Sequence, residues 1–115
     1  TLDRWRDFLD VRDVCAAYVA AIGRFDALPA GSALNLASGH PRRVGDVLDE
    51  LLRLSGVQAR VEETPAELRP TDLRETACSA GQLRRLLDWT PVVPWERTLR
   101  DILDAWRRTE RREGS

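Results

Sequence analysis

Apolar residues in this chain recur mostly at helical period. Val11, Val14, Cys15, Tyr18, Val19 and Ile22 form one stripe along an amphipathic helix. Asp10 is placed to cap that helix, and Asp13 sits in its first turn, where the macrodipole favours a carboxylate. Gly23 can close it in a left-handed conformation. Val44, Val47, Leu48, Leu51 and Leu52 form a second stripe, stopped by Ser55-Gly56. Leu83, Leu86 and Leu87 predict a short third helix, opened by the capping box Ser79-Ala80-Gly81-Gln82 and ended by Thr90-Pro91. A last helix begins at Pro94 or Trp95 and turns Leu99, Ile102, Leu103 and Trp106 inward. Trp89 and Trp95 read as core anchors as well. Arg107 to Ser115 is a highly charged tail expected to fray.

The segments between helices read differently. Arg6 to Val11 is extended, and Phe25 to Ser32 is a loop. Ala33 to Ala37 is a short apolar strand, closed by Ser38-Gly39-His40-Pro41. Gln58 to Glu62 alternates polar with small apolar residues and predicts another strand, and residues 74–78 are extended. Thr64-Pro65-Ala66-Glu67 predicts a single helical turn, followed by the loop Arg69-Pro70-Thr71-Asp72. Strand-to-strand connections pass through helices, which suits parallel pairing. The expected fold class is therefore α/β: helix-rich, with two or three short parallel strands. So small a sheet leaves an open edge that needs a neighbour.

Composition narrows the function. A chain of 115 residues is one domain. Eighteen Lys+Arg against 19 Asp+Glu give a formal net charge of -1, so nothing draws the chain to nucleic acid or to an anionic membrane. No apolar run approaches the ~18–20 residues that span a bilayer, and no secretory leader pattern is visible, so a cytoplasmic location is expected. All the Lys+Arg are Arg, which removes Schiff-base and P-loop chemistry. The single His, His40, forms no multi-His metal site and reads as an exposed turn residue, so no metal is expected. Cys15 and Cys78 lack CxxC spacing and read as two buried, reduced thiols, with Cys15 on the inward face of its helix. There is no Met, which predicts a mature fragment, a tag-cleaved chain or a piece of something longer.

Two constellations can carry chemistry. In Arg6-Asp7-Phe8-Leu9-Asp10-Val11-Arg12-Asp13-Val14, an Arg enters an extended segment with an aromatic beside it. It can present a planar fork to phosphate oxygens, or pair at the surface with Asp3 or Asp13. In Leu68-Arg69-Pro70-Thr71-Asp72, Pro70 biases Arg69 toward extended geometry. An Arg and an Asp three apart can meet phosphate and vicinal hydroxyls on one ligand, or form a local pair in a solvated loop. The cluster Arg107, Arg108, Arg111, Arg112 alternates with Glu110 and Glu113 and is a solvated face.

These pieces in this order resemble the C-terminal, substrate-binding portion of an extended short-chain dehydrogenase/reductase of the nucleotide-sugar type. The resemblance runs from Arg6–Val14 through Leu34-Asn35-Leu36-Ala37-Ser38-Gly39, Val44–Leu48 and Arg69–Asp72 to the Leu83–Trp89 helix, Pro91 and the Glu96–Trp106 helix. Its wording is most similar to GDP-mannose 4,6-dehydratases and GDP-4-keto-6-deoxymannose reductases; UDP-sugar epimerases and dTDP-glucose dehydratases share the plan. The resemblance implies that Arg6 and Arg69 contact the diphosphate and that Asp72 takes the ribose hydroxyls. Asn35 and Ser38-Gly39 would end the last strand of the cofactor-binding sheet.

By the same resemblance, residues 1–39 include the last helix and strand of an NAD(P)-binding Rossmann half, 40–106 form a substrate-binding subdomain, and 107–115 are the tail. The Gly-rich cofactor turn and the catalytic Tyr-x-x-x-Lys are absent: Tyr18 is followed at position 22 by Ile, and there is no Lys. The resemblance therefore implies NADP or NAD in the intact parent, none on this piece, and no catalytic residue here. The family's usual Ser or Thr cap at the second helix is Arg43. The partners expected are a GDP-linked nucleotide sugar, the missing N-terminal Rossmann half, and a second copy through the first helix and the Ala33–Ala37 strand. The alternatives are a UDP- or dTDP-sugar epimerase or dehydratase fragment, and a non-enzymatic α/β module that binds a nucleotide or a protein.

Overall fold

The structure, a computed structural model, describes residues 2–64, 73–76 and 78–114. Its elements are β1 (Trp5–Arg6), α1 (Val11–Gly23), a 3-10 turn (Phe25–Ala27), β2 (Arg42–Arg43), α2 (Val44–Ser55), α3 (Gly81–Leu87) and α4 (Trp95–Glu113). The helix-rich α/β character is as expected, but the strands are not where the pattern placed them. β1 and β2 pair antiparallel, with Trp5 opposite Arg43 and Arg6 opposite Arg42. The one parallel contact is a bridge from Trp5 to Glu75, carried by Trp5 N donating to Arg74 O at 2.9 Å and Thr76 N to Trp5 O at 3.3 Å.

Ala33–Ala37 and Gln58–Glu62 are assigned to no strand. A strand is completed by the ladder of its neighbour, and among the described residues nothing pairs with either segment. The predicted turn at 64–67 and the loop at 69–72 fall, apart from Thr64, outside the described residues.

Asp10 caps α1 as expected: its carboxylate accepts from Arg12 N at 2.9 Å. The buried face of α1 is the reverse of the prediction. Asp13 and Ala17 are buried, while Val11, Tyr18 and Val19 are each 69% exposed and Ile22 is 77% exposed. The reason is steric and polar together. Ala17, Ala20 and Ala21 let α3 approach, so that Leu83, Leu87 and Trp89 close a small core with Ala37 and Ala80. Asp13 must also turn inward, because it accepts Val92 N and Val93 N at 2.9 and 3.2 Å. The larger stripe, with Cys15 on it, is left on the outside, so Cys15 is an exposed free thiol and Cys78 a half-buried one. Gly23 has no positive φ, and Arg24 ends α1 by donating to Ala20 O.

α2 stops at Gly56 in the left-handed region (φ 71°), as the pattern required. Its N-terminus lacks a side-chain cap at Arg43, and main-chain carbonyls substitute: Val44 N donates to Arg4 O at 2.8 Å and Gly45 N to Leu2 O at 3.0 Å. At α3 the first helical N–H meets Ser79 Oγ, but the cap residue is Ala80 and the reciprocal half of the box is absent. α4 starts after Pro94 and packs on α2 through the buried Leu99. The residues expected to fray continue α4 to Glu113, where Arg107 donates to Ser55 O at 3.1 Å. Trp106, expected inside, is 66% exposed, because two helices alone leave its side of α4 uncovered.

The surface area is large for the mass. The chain exposes 8872 Å², against about 6,300 Å² for a compact monomer of 13.0 kDa. Its radius of gyration is 17.7 Å, against about 13 Å for a compact domain of this length.

Candidate functional site

Three aspartates at intervals of three residues organise the site region, each gripping a different distant segment. Asp7 accepts Ser38 N at 2.8 Å and Gly39 N at 2.9 Å, one on each oxygen. Asp10 accepts both Arg12 Nε at 2.9 Å and Arg12 Nη2 at 2.8 Å, and Thr98 Oγ1 of α4 donates to it at 2.6 Å. Asp13 takes the two backbone N–H groups of 92–93, while its own carbonyl accepts Trp89 Nε1 at 2.9 Å. The Arg12 hydrogen bond, against the opposing effect of burial, holds the Asp10 carboxyl well below the usual carboxylate range. Arg12 is raised in turn by Asp10 and by Asp101, which it meets at 2.8 Å.

Arg6 lies half-buried on β1, where its Nη1 donates to Trp5 O at 2.8 Å. Arg69 and Asp72 lie outside the described residues. The segment that follows them in sequence, Arg74–Thr76, runs along β1. Asn35 is exposed in the unpaired stretch after the 3-10 turn. The Ser38-Gly39 turn, with Gly39 at φ 79°, is fixed by Asp7. His40 is exposed and folds back on Ser38, as a turn residue would. Asp3, one suggested partner of Arg6, pairs instead with Arg43 and Arg74, and Asp13 is engaged with the 92–93 backbone.

Beside β1, Arg42 lies over the ring of Trp95 with its guanidinium carbon 4.3 Å from the centroid. Trp95 is held from two sides: Nε1 donates to Glu50 Oε2 at 2.9 Å, and Phe8 packs at 5.8 Å. Phe8, Asp10, Ser38, His40, Arg42 and Trp95 border a cleft of about 210 Å³. Sequence reasoning passed over Arg42; the only available signal was its place one residue before the helix entry. No group of three His, Cys, Asp or Glu side chains able to hold a metal occurs among the described residues. None of the described helices is long and apolar enough to cross a membrane. The seven glycines include no G-x-G-x-x-G spacing.

Against known proteins, the chain is 30% identical over 112 residues to GDP-6-deoxy-D-mannose reductase of Pseudomonas aeruginosa, a match covering 97% of this chain and 36% of that protein. The chain is homologous to part of an extended short-chain dehydrogenase/reductase. The structure of RMD from Pseudomonas aeruginosa complexed with NADPH superposes with a TM-score of 0.80 at 28% identity, over 91% of this chain and 33% of that one. A putative epimerase from Burkholderia cenocepacia J2315 does so with a TM-score of 0.81 at 38% identity, over 93% and 34%. No protein-family model matches. The chain spans about a third of the length of these relatives. Within this family frame, much of Arg6–Val14 is scaffold: its three carboxylates hold other segments of the chain.

Proposed function

We propose that this chain is the nucleotide-sugar-gripping third of an NAD(P)-dependent reductase or dehydratase, GDP-linked, and inactive by itself. The observation that carries this reading is sequence identity to a GDP-6-deoxy-D-mannose reductase along 97% of the chain while spanning 36% of the enzyme. Arg6 and Arg69 hold the diphosphate, and Asp72 accepts from the ribose hydroxyls. Cofactor binding and hydride transfer belong to an N-terminal Rossmann half that this chain does not contain. When bound there, the dinucleotide supplies the hydride acceptor or donor. The residues of this chain bind and orient the substrate, which lowers the entropic cost of the reaction without supplying an acid or base.

The exposed stripe of α1, with Val11, Tyr18, Val19 and Ile22, is the face that half covers. An apolar cavity of about 160 Å³, bordered by Tyr18, Ala21, Leu34 and Leu36, adjoins it. The bare segment 33–37 then completes the Rossmann sheet as its last strand. The surplus surface of the isolated chain supports the same assignment.

Titration with GDP, UDP and dTDP tests the binding half of the reading. GDP is expected to bind most tightly, and Arg6→Ala and Arg69→Ala each to weaken it; binding unchanged in both variants refutes the site. Incubation of the chain with GDP-mannose and NADP is expected to yield no keto sugar, and turnover refutes the division of labour.

A further inference from the structure

We infer that Arg42 is a second cation of the phosphate grip, working beside Arg6. This deepens the nucleotide-sugar reading and rests on it. The register of the β1–β2 ribbon sets Arg6 directly opposite Arg42. Directly opposed residues of an antiparallel pair project from the same face. The adjoining pair, Trp5 and Arg43, faces the other way, and Arg43 meets Asp46 at 2.8 Å and Asp3 at 3.4 Å. Arg42 has no carboxylate partner among the described residues, although it is half-buried. On the helices, Arg12, Arg53, Arg97, Arg100 and Arg107 do pair with neighbouring acids.

Arg42 is also held in place without being neutralised. Its guanidinium stacks on Trp95, and Trp95 is fixed by Glu50 and Phe8. Stacking engages the π-face of the guanidinium and leaves its in-plane N–H donors to point elsewhere. Two guanidinium groups on one ribbon face, one of them pre-oriented and lacking an acceptor, match the two phosphates of a nucleoside diphosphate.

The test is an NMR titration of the 115-residue chain with GDP, inorganic pyrophosphate and guanosine, following the arginine Nε–Hε signals. GDP and pyrophosphate are expected to shift the Arg6 and Arg42 signals together, and guanosine to shift neither. Arg42→Ala is expected to weaken GDP about 10- to 100-fold, the loss of one or two charge-assisted hydrogen bonds. Arg42→Lys keeps the charge but not the fork or the stack, and is expected to fall between. Thermal unfolding of each variant checks that the fold is retained, and Trp95→Leu, which frees Arg42 without removing it, should weaken GDP less than Arg42→Ala. If Arg6→Ala weakens GDP while Arg42→Ala and Arg42→Lys do not, the Arg42 inference falls and the nucleotide-sugar reading stands. If no arginine variant changes binding, or the unaltered chain binds neither GDP nor pyrophosphate at millimolar concentration, both fall.

Discussion

Asp13 offers the sharpest test of how this chain holds itself together. Its carboxylate is 2% exposed and accepts two backbone N–H groups, Val92 at 2.9 Å and Val93 at 3.2 Å. Hydrogen bonds to a charged group contribute about 1.5–3 kcal/mol each. The longer bond belongs at the low end, and Val92 is exposed enough for water to recover part of its loss. Asp13→Ala should therefore cost about 2–4 kcal/mol. Asp13→Asn keeps one acceptor oxygen and forfeits the other, together with about 0.3–1 kcal/mol of favourable interaction with the α1 macrodipole, so about 1–2.5 kcal/mol is expected. Native domains have only about 5–15 kcal/mol in total, so the alanine variant should lose a large share of its stability.

Urea unfolding followed by tryptophan fluorescence reads this directly. With an m-value of about 1–3 kcal/mol/M, a 3 kcal/mol loss lowers the midpoint by about 1–3 M. Native-state hydrogen exchange should show the loss concentrated at Val92 and Val93, ahead of the interior of α1. An alanine variant within about 0.5 kcal/mol of the unaltered chain, which is the range of ordinary surface substitutions, would refute the reasoning. So would an asparagine that costs more than the alanine.

Three further outcomes follow from the same geometry. Asp10 has a depressed folded-state pKa, so its contribution is full above the unfolded value of about 3.9 and is lost as pH falls through the lower folded value; the urea midpoint should drop more steeply below pH 4 in the unaltered chain than in Asp10→Asn, and parallel curves would exclude this role. The exposed α1 stripe should drive self-association, so sedimentation velocity should show species larger than a monomer that Tyr18→Glu with Ile22→Glu reduces; a concentration-independent monomer in the unaltered chain counts against it. Trp89→Phe keeps most of the packing in the α1–α3 core but removes the indole hydrogen bond to the Asp13 carbonyl, which keeps its helical partner, and should cost about 0.5–1.5 kcal/mol in the same urea assay, whereas a neutral result would mean that the indole hydrogen bond is dispensable.

The helices were legible because their stripes were long and their stops chemically marked: Asp10 at one start and Gly56 at one end behave as their residue types require. What periodicity could not assign was the face. Val14 to Ile22 is a run of nine apolar residues, so α1 is apolar all round, and a helix of that kind is covered on more than one side. The larger stripe was the natural choice for a core; the smaller one, Ala17, Ala20 and Ala21, is what α3 can approach. The strands failed for a different reason. Ala33–Ala37 has the composition of a strand, but pairing is a property of two segments, and among the described residues nothing pairs with it. β1 and β2 are too short to show a period at all. Of the candidate site, Arg6 was singled out from its motif, whereas Arg42 needed the ribbon register before its position opposite Arg6 could be seen.

The three aspartates also explain how the chain keeps the segments around Arg6 in a defined arrangement. Its apolar core is small: six clustered residues and Leu99. Such a core leaves much of the positioning to polar contacts. Asp7 ties β1 to the Ser38-Gly39 turn, Asp10 ties α1 to α4 through Thr98, and Asp13 ties α1 to the turn before α4. All three carboxylates lie within seven residues of Arg6, so Arg6 is fixed relative to β2, α1 and α4 by bonds within the chain. Under the proposed reading, preorganisation of the phosphate grip resides in this chain, and the exposed apolar stripe of α1 and the unpaired 33–37 segment serve docking: directional, charge-assisted bonds set the site, and non-directional apolar area joins it to a partner. On that view, acid strong enough to protonate Asp10 should loosen its grip on Arg12 and on Thr98 of α4 before it affects the docking face, because protonation removes the charge from the carboxylate and leaves the hydrocarbon unchanged.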